Sequence, residues 1–186
     1  ASTLAIYRKL AAAKALPIRV FSYFDYYAKL VLTELRQPRI HQLSHFQVQG
    51  VKFYFDGALG SRGARMLAPY ADVPATSGLW VTDPETLAQH ASLVLRAGYQ
   101  PAAHAIGDAA NHAAVDLLGK IQRKGDALAP RVEHAQIVSP EDAAALGKAG
   151  LVASVQPMHM ADDHGWTPTR LGADRLERAR SEEHTS

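Results

Sequence analysis

Two histidines close two successive apolar runs. In "QPAAHAIGD", residues 100–108, His104 ends a stretch of small apolar residues that breaks at Gly107; in "PRVEHAQIVSP", residues 130–140, His134 ends the next such run. Neutral imidazole is the commonest metal ligand, and two rings held at the ends of adjacent parallel strands can converge on one ion. The competing reading is a pair of hydrogen-bonding residues that finish buried strands. A lysine weighs on the choice. In "VKFYFDG", residues 51–57, a period of two sends Val51, Phe53 and Phe55 one way and Lys52, Tyr54 and Asp56 the other. With the apolar trio against helices, Lys52 faces inward, where an unpaired ammonium costs several kcal/mol. It must then be ion-paired (to Asp56 or a glutamate), neutralised or chemically altered. Together the three residues predict a metal site.

Other candidates carry less. Gln156 and His159 in "SVQPMH" follow the last apolar run, where either can contact substrate or simply shape a loop. Arg62 and Asp56 can reach substrate from the long segment that begins at Gly57. His41 and His45 in "HQLSH" have helical i,i+4 spacing but lack the glutamate of HExxH, and they read as exposed residues. His90 and His112 fall inside expected helices, on the surface. Trp80 and Trp166 either line a pocket mouth or pack. Cysteine is absent, so any metal is held by imidazole, carboxylate or a less usual ligand.

The elements that must position these residues alternate along the chain. Thr3–Ala15 is rich in Ala, Leu and Lys and predicts a helix. Residues 16–24 predict a strand, 25–36 a helix and 51–57 a second strand. Residues 57–82 hold several Gly and Pro with no sustained period, a length of loop that is usually functional or disordered. A helix follows over 82–98, with an acidic cap, Pro84 in its first turn and Gly98 at its end. Then come a strand at 99–107, a helix capped by Asp108 and ending at Gly125, a strand at 131–138, a helix from Ser139 and Pro140 to Gly150, and a strand at 151–157. Five short apolar strands alternating with helices predict a parallel sheet, either doubly wound or part of a (β/α)8 TIM barrel. No GxGxxG follows the first strand and no GxxxxGK[ST] occurs, which favours the barrel. A whole barrel needs about 250 residues, so five strands are expected to be an interior slice.

The 186 residues are 47% hydrophobic and 20% charged, with net charge +2. The charges are interspersed, which argues against nucleic acid as a partner. No apolar run has the length of a membrane span and no signal peptide opens the chain, so a cytoplasmic protein with a small-molecule substrate is expected; nothing speaks to its oligomeric state. Residues 1–179 are expected to form one partial barrel domain. The tail "RSEEHTS", 180–186, resembles the translation of a sequencing-library adapter and is expected to be non-native.

Four segments, "VKFYFDGALGSRGA", "PAAHAIGDAA", "RVEHAQIVSPED" and "GLVASVQPMHMADD", resemble in order and spacing the amidohydrolase superfamily, specifically amidohydrolase family 3 and its N-substituted formamide deformylase-like branch. The resemblance covers roughly residues 1–178. It implies that these strands are about the third to seventh of a metal-bearing barrel. It also implies that Lys52 is a metal ligand, carboxylated to a carbamate, and that His104 and His134 are the ligands of the next two strands. The implied cofactor is one or two divalent ions, zinc first. The implied reaction is hydrolysis of a non-peptide carbon–nitrogen bond, of amide or formamide type. The alternatives are a lactonase or phosphotriesterase-like barrel, or a metal-free α/β binding module. The family's His-x-His pair on the first strand and general-base Asp on the last are absent, and Gly63 stands where Thr or a similar residue is expected. The 186-residue chain by itself is therefore expected to be inactive.

Overall fold

The computed structural model describes residues 3–27, 45–122 and 128–176. Helix α1 (Thr3–Ala12) leads into β1 (Val20–Asp25) and β2 (Phe46–Tyr54), followed after a long loop by α2 (Pro84–Arg96). Next come β3 (Gln100–Ala105), α3 (Asp108–Ile121), β4 (Arg131–His134), α4 (Pro140–Ala149) and β5 (Val152–Ser154). Three short helices close the described chain: α5 (Met158–Asp163), α6 (Thr167–Leu171) and α7 (Ala173–Leu176).

The five strands are all parallel and lie in chain order, β1-β2-β3-β4-β5. A doubly wound sheet reverses its order at a switch point; a barrel does not. The fold is thus α/β, a partial (β/α)8 barrel.

Period-two alternation sorts the sheet into two faces. Val51, Phe53, Ala103, Ala105 and Val132 are fully buried on the outer face. There they pack with Leu87, Ala91 and Val94 of α2 and Ala110, Ala114 and Leu118 of α3. Burying a side chain the size of Phe53 stabilises by about 2 kcal/mol. Alanines along β3 let α2 and α3 approach closely. The opposite face carries Lys52, Tyr54, His104, Arg131 and Glu133.

Local signals set the helix ends. Asp83 accepts from Thr86 N with Pro84 in the first turn, and Ser139 accepts from Asp142 N ahead of Pro140. Gly150 ends α4 at φ 71°, in the left-handed region that favours glycine. Asp108 departs from expectation. The cap of α3 is Gly107, with no side-chain cap bond, and the Asp108 carboxylate instead accepts from Leu67 N at 2.7 Å. The helix was cued by an acidic residue that in fact serves the long loop.

Strand boundaries also shift. β2 begins at Phe46 rather than 51, and β4 stops at His134 rather than 138, because His134 and Ala135 leave the extended region at φ 75° and 45°. The three helices after β5 are too short to show a helical period in sequence. Residues 28–36 of the expected second helix, Gly125, His41 and the 180–186 tail lie outside the described residues.

Candidate metal centre

Register places the chemistry. Lys52 is aligned with Asp25 on one side and Ala102 on the other, while Tyr54 is aligned with His104 and His104 with Glu133. Aligned residues of a parallel sheet share a face, so Lys52, Tyr54 and His104 all look inward. His134 is different. It is aligned with the buried outer residue Ala105, and strict alternation would drive its ring into the helical layer. The left-handed backbone at His134 and Ala135 turns the ring back to the rim instead. Its centroid then lies 4.5 Å from that of His104, at 65°. Strained backbone of this kind concentrates at functional sites.

Both imidazoles are held neutral. His104 is pushed down to about 4, chiefly by burial and then by the neighbouring His134. His134 is also lowered, by burial first and then by the charges of Lys52 and His159, against an opposing contact from Gln156. His104 Nε2 lies 3.3 Å from the Gly57 carbonyl and 3.4 Å from Asp56 Oδ1. A neutral ring that donates there keeps its lone pair on Nδ1, the arrangement that orients a metal-ligating histidine. His134 Nδ1 is buried without a hydrogen-bond partner. A buried polar atom without a partner is costly, and a metal ion is one group that removes the cost.

Lys52 is half-buried, and burial lowers its pKa against the attraction of Glu133. The expected ion pairs do not form among the described residues. Glu133 is bridged to Arg131, with Nε to Oε1 at 2.7 Å. Asp56 is fully buried and accepts three backbone donors: Arg65 N at 2.8 Å, Gly107 N at 2.9 Å and Ile106 N at 3.1 Å. Burial nevertheless pushes its carboxyl up to about 6. Asp56 is a latch between the loops that follow β2 and β3, with no face left for substrate. The donor set therefore fits a metal as a partial site: two neutral imidazoles and an uncompensated lysine. Among the described residues no group of three or more His, Asp or Glu side chains gathers to hold an ion.

His159 joins this group, its ring 5.7 Å from His134 at 24°. Gln156 is exposed beside His134, and its Nε2 reaches the Ser154 carbonyl at 3.4 Å. Arg62 is committed elsewhere. It grips Asp72 through Nε to Oδ1 (3.2 Å) and Nη2 to Oδ2 (2.8 Å), and Asp72 also binds Arg170 of α6. It ties the long loop to the closing helices.

The remaining candidates are structural. His45 is exposed as expected. His90 is not on the surface: it is half-buried, with Nδ1 2.7 Å from the Tyr26 hydroxyl. His112 is exposed and pairs with Asp142 across α3 and α4 at 2.9 Å. Trp80 packs edge-on to Phe55, and Trp166 covers Gly60. Asp25, aligned with Lys52, braces the rim by accepting from the Tyr27 backbone N–H and the Tyr54 hydroxyl. Its only sequence signal is position at the end of the first strand.

Comparison with known proteins agrees with this fold. The sequence profile described as "Amidohydrolase family" matches residues 1–181. The chain is 35% identical over 173 residues to Protein LONG AFTER FAR-RED 3 of Arabidopsis thaliana, covering 91% of this chain and 30% of that protein. It is 33% identical over 146 residues to YtcJ of Bacillus subtilis (strain 168), covering 77% of this chain and 27% of YtcJ. A solved structure of an uncharacterized metal-dependent hydrolase from Pyrococcus horikoshii OT3 superposes with a TM-score of 0.83 at 30% identity, over 95% of this chain and 35% of that one. The chain thus spans about a third of the length of the proteins it matches. By sequence and by fold, it belongs to the amidohydrolase family.

Proposed function

We propose that the protein carrying this chain is a metal-dependent hydrolase of a non-peptide carbon–nitrogen bond, of the amide or formamide type, allied to the N-substituted formamide deformylases. The observation that carries this reading is the convergence of His104 and His134, at 4.5 Å between centroids, made by a left-handed backbone turn that leaves His134 Nδ1 buried and unpaired. His104, His134 and Lys52 would hold one or two divalent ions, zinc first. When bound, such an ion polarises a carbonyl and lowers the pKa of water towards neutrality.

The chain's own residues prepare that chemistry. Burial favours the neutral amine of Lys52, whose Nζ can add to carbon dioxide with loss of one proton, giving a carbamate. The product is an anionic oxygen ligand where an uncompensated ammonium would be expensive. His104 keeps its ring oriented through the Gly57 carbonyl, and His159 and Gln156 would contact the substrate amide.

The test is metal content and turnover of the complete gene product. Mass spectrometry should find retained divalent metal in the wild type and severalfold less in His104→Ala and His134→Ala. Hydrolysis should favour formamides and amides over lactones and phosphate triesters. Wild-type protein that retains no metal would favour a metal-free binding module, and a preference for lactones or triesters would overturn the bond assignment.

A further inference from the structure

Behind the two histidines lies a buried amide that the hydrolase reading does not use. Asn111, near the start of α3, is 1% exposed. Its Nδ2 donates to three backbone carbonyls, those of Gly107 at 3.0 Å, Ile106 at 3.1 Å and Ile137 at 3.2 Å. Only the NH2 end of an amide can face three carbonyl oxygens, so the side chain has one orientation. These carbonyls belong to two segments. Ile106 and Gly107 leave β3 just after His104, and Ile137 leaves β4 just after His134. Ile137 also donates its own N–H to the Ile106 carbonyl at 3.0 Å. Both polar backbone groups of Ile137 are thus pinned, one by the exit of β3 and the other by Asn111.

As a plain stabiliser the amide is a poor choice. The Ile106 carbonyl already accepts from Ile137 N, and the Gly107 carbonyl already accepts from Asn111 N at 2.9 Å. The Asn111 Oδ1 is buried without a hydrogen-bond partner, a cost that an apolar side chain of similar size would not carry. What the amide adds is placement. The left-handed residues His134 and Ala135 lie immediately before the pinned Ile137. Strained backbone persists only where its surroundings over-determine it, and here the exit of the turn is held against the strand that carries His104.

We propose that Asn111 is a positioning residue: its amide staples the exits of β3 and β4 together and so sets the spacing of His104 and His134. That the pair is spaced for a metal ion rests on the hydrolase reading above; the staple itself does not.

Cobalt(II) titration of the metal-free complete gene product, followed by visible absorption, reads ligand geometry, and urea unfolding of the same proteins reads stability. Asn111→Leu should weaken cobalt binding about 10-fold or more and change the spectrum of what binds. Leu118→Ala truncates a core residue on the same helix. It should unfold at lower urea than Asn111→Leu, yet bind cobalt within about 2-fold of the wild type and with its spectrum. A merely structural amide would give affinities that follow stability. In the metal-free protein, amide exchange at Ile137 should accelerate in Asn111→Leu while the amides of β3 keep their rates. Asn111→Ala reads the same losses where the leucine variant fails to fold. Wild-type affinity and spectrum in Asn111→Leu, losses that track the urea midpoint, unchanged exchange at Ile137, or unfolding of both Asn111 variants overturns the proposal. A wild type that binds no cobalt, with Ile137 exchange responding as expected, would keep the staple and sink the hydrolase reading.

Discussion

His134 shows how much one backbone dihedral can decide. A non-glycine residue in the left-handed region costs about 1–2 kcal/mol, and here two in succession accept it, at φ 75° and 45°. The return is a ring moved from the helical layer to the rim. This separates two variants that sequence alone would treat alike. His134→Gly and His134→Ala both remove the imidazole, and both should lose retained metal. The metal-free glycine variant should nevertheless be the more stable of the two in urea titrations, by about 1 kcal/mol. Equal stabilities would mean the turn is not strained. Lys52 supplies a second prediction at this scale. Lys52→Ala should strip metal, while Lys52→Glu, which brings its own carboxylate to the same place, should retain more of it; elemental analysis of the two proteins decides. The residue types were readable in advance: an inward lysine and two strand-end histidines stand out against an apolar background. The ring direction of His134 was not, because alternation in "RVEH" points it outward and no glycine marks the turn. The missing ion pair of Lys52 was equally hidden, since whether Asp56 or Glu133 is free depends on backbone donors and on Arg131, which only the fold brings near.

At the scale of elements, the long segment from Gly57 to Thr82 behaves as a fastened strap. Asp56 gathers three backbone donors, Asp108 takes a fourth at Leu67, and Arg62 and Arg170 meet on Asp72. Leu59, Met66 and Tyr70 sink into a small second core with Ile106, Ile137 and Leu171. The strap therefore holds the Gly57 carbonyl where His104 can use it. Removing the latch should release both. Asp56→Ala leaves three N–H groups unmet, two of them buried, and should cost about 3 kcal/mol or more in denaturant unfolding, with amide exchange accelerated first in residues 57–82. Uniform exchange across the sheet, with the strap no faster, would show that the latch does not hold it. Sequence offered Gly and Pro without a period, which identifies a loop but cannot say what ties it down: the partners lie up to about a hundred residues away, as with Arg170 and Asp72. Helix ends were far more legible, because Asp83, Ser139 and Gly150 act on their own neighbours.

At the scale of the molecule, the sheet order argues for a barrel while the described chain closes no ring. Among the described residues β1 and β5 each have one bonded neighbour in the sheet, and apolar side chains stand exposed at both edges: Phe21 at 57% on β1, Val152 on β5 and Val155 just past its end, each at 41%. The barrel reading was accessible from sequence because five apolar runs alternate with capped helices, a pattern with only two common solutions; the in-order pairing that separates those solutions is non-local and had to be seen. Unpaired edges of parallel sheet are templates for association, since their N–H and C=O groups lack partners and their outward side chains favour burial. A polypeptide of residues 1–186 alone should therefore associate in light scattering and bind a hydrophobic dye. It should also show no amide hydrolysis, because two imidazoles and one lysine do not complete a metal-bound site with a general base. The complete gene product should be free of both the dye binding and the association. A monodisperse, dye-silent 186-residue chain would mean that these edges are protected in some way the parallel sheet does not reveal, and turnover by that chain would mean that its own residues supply the missing base.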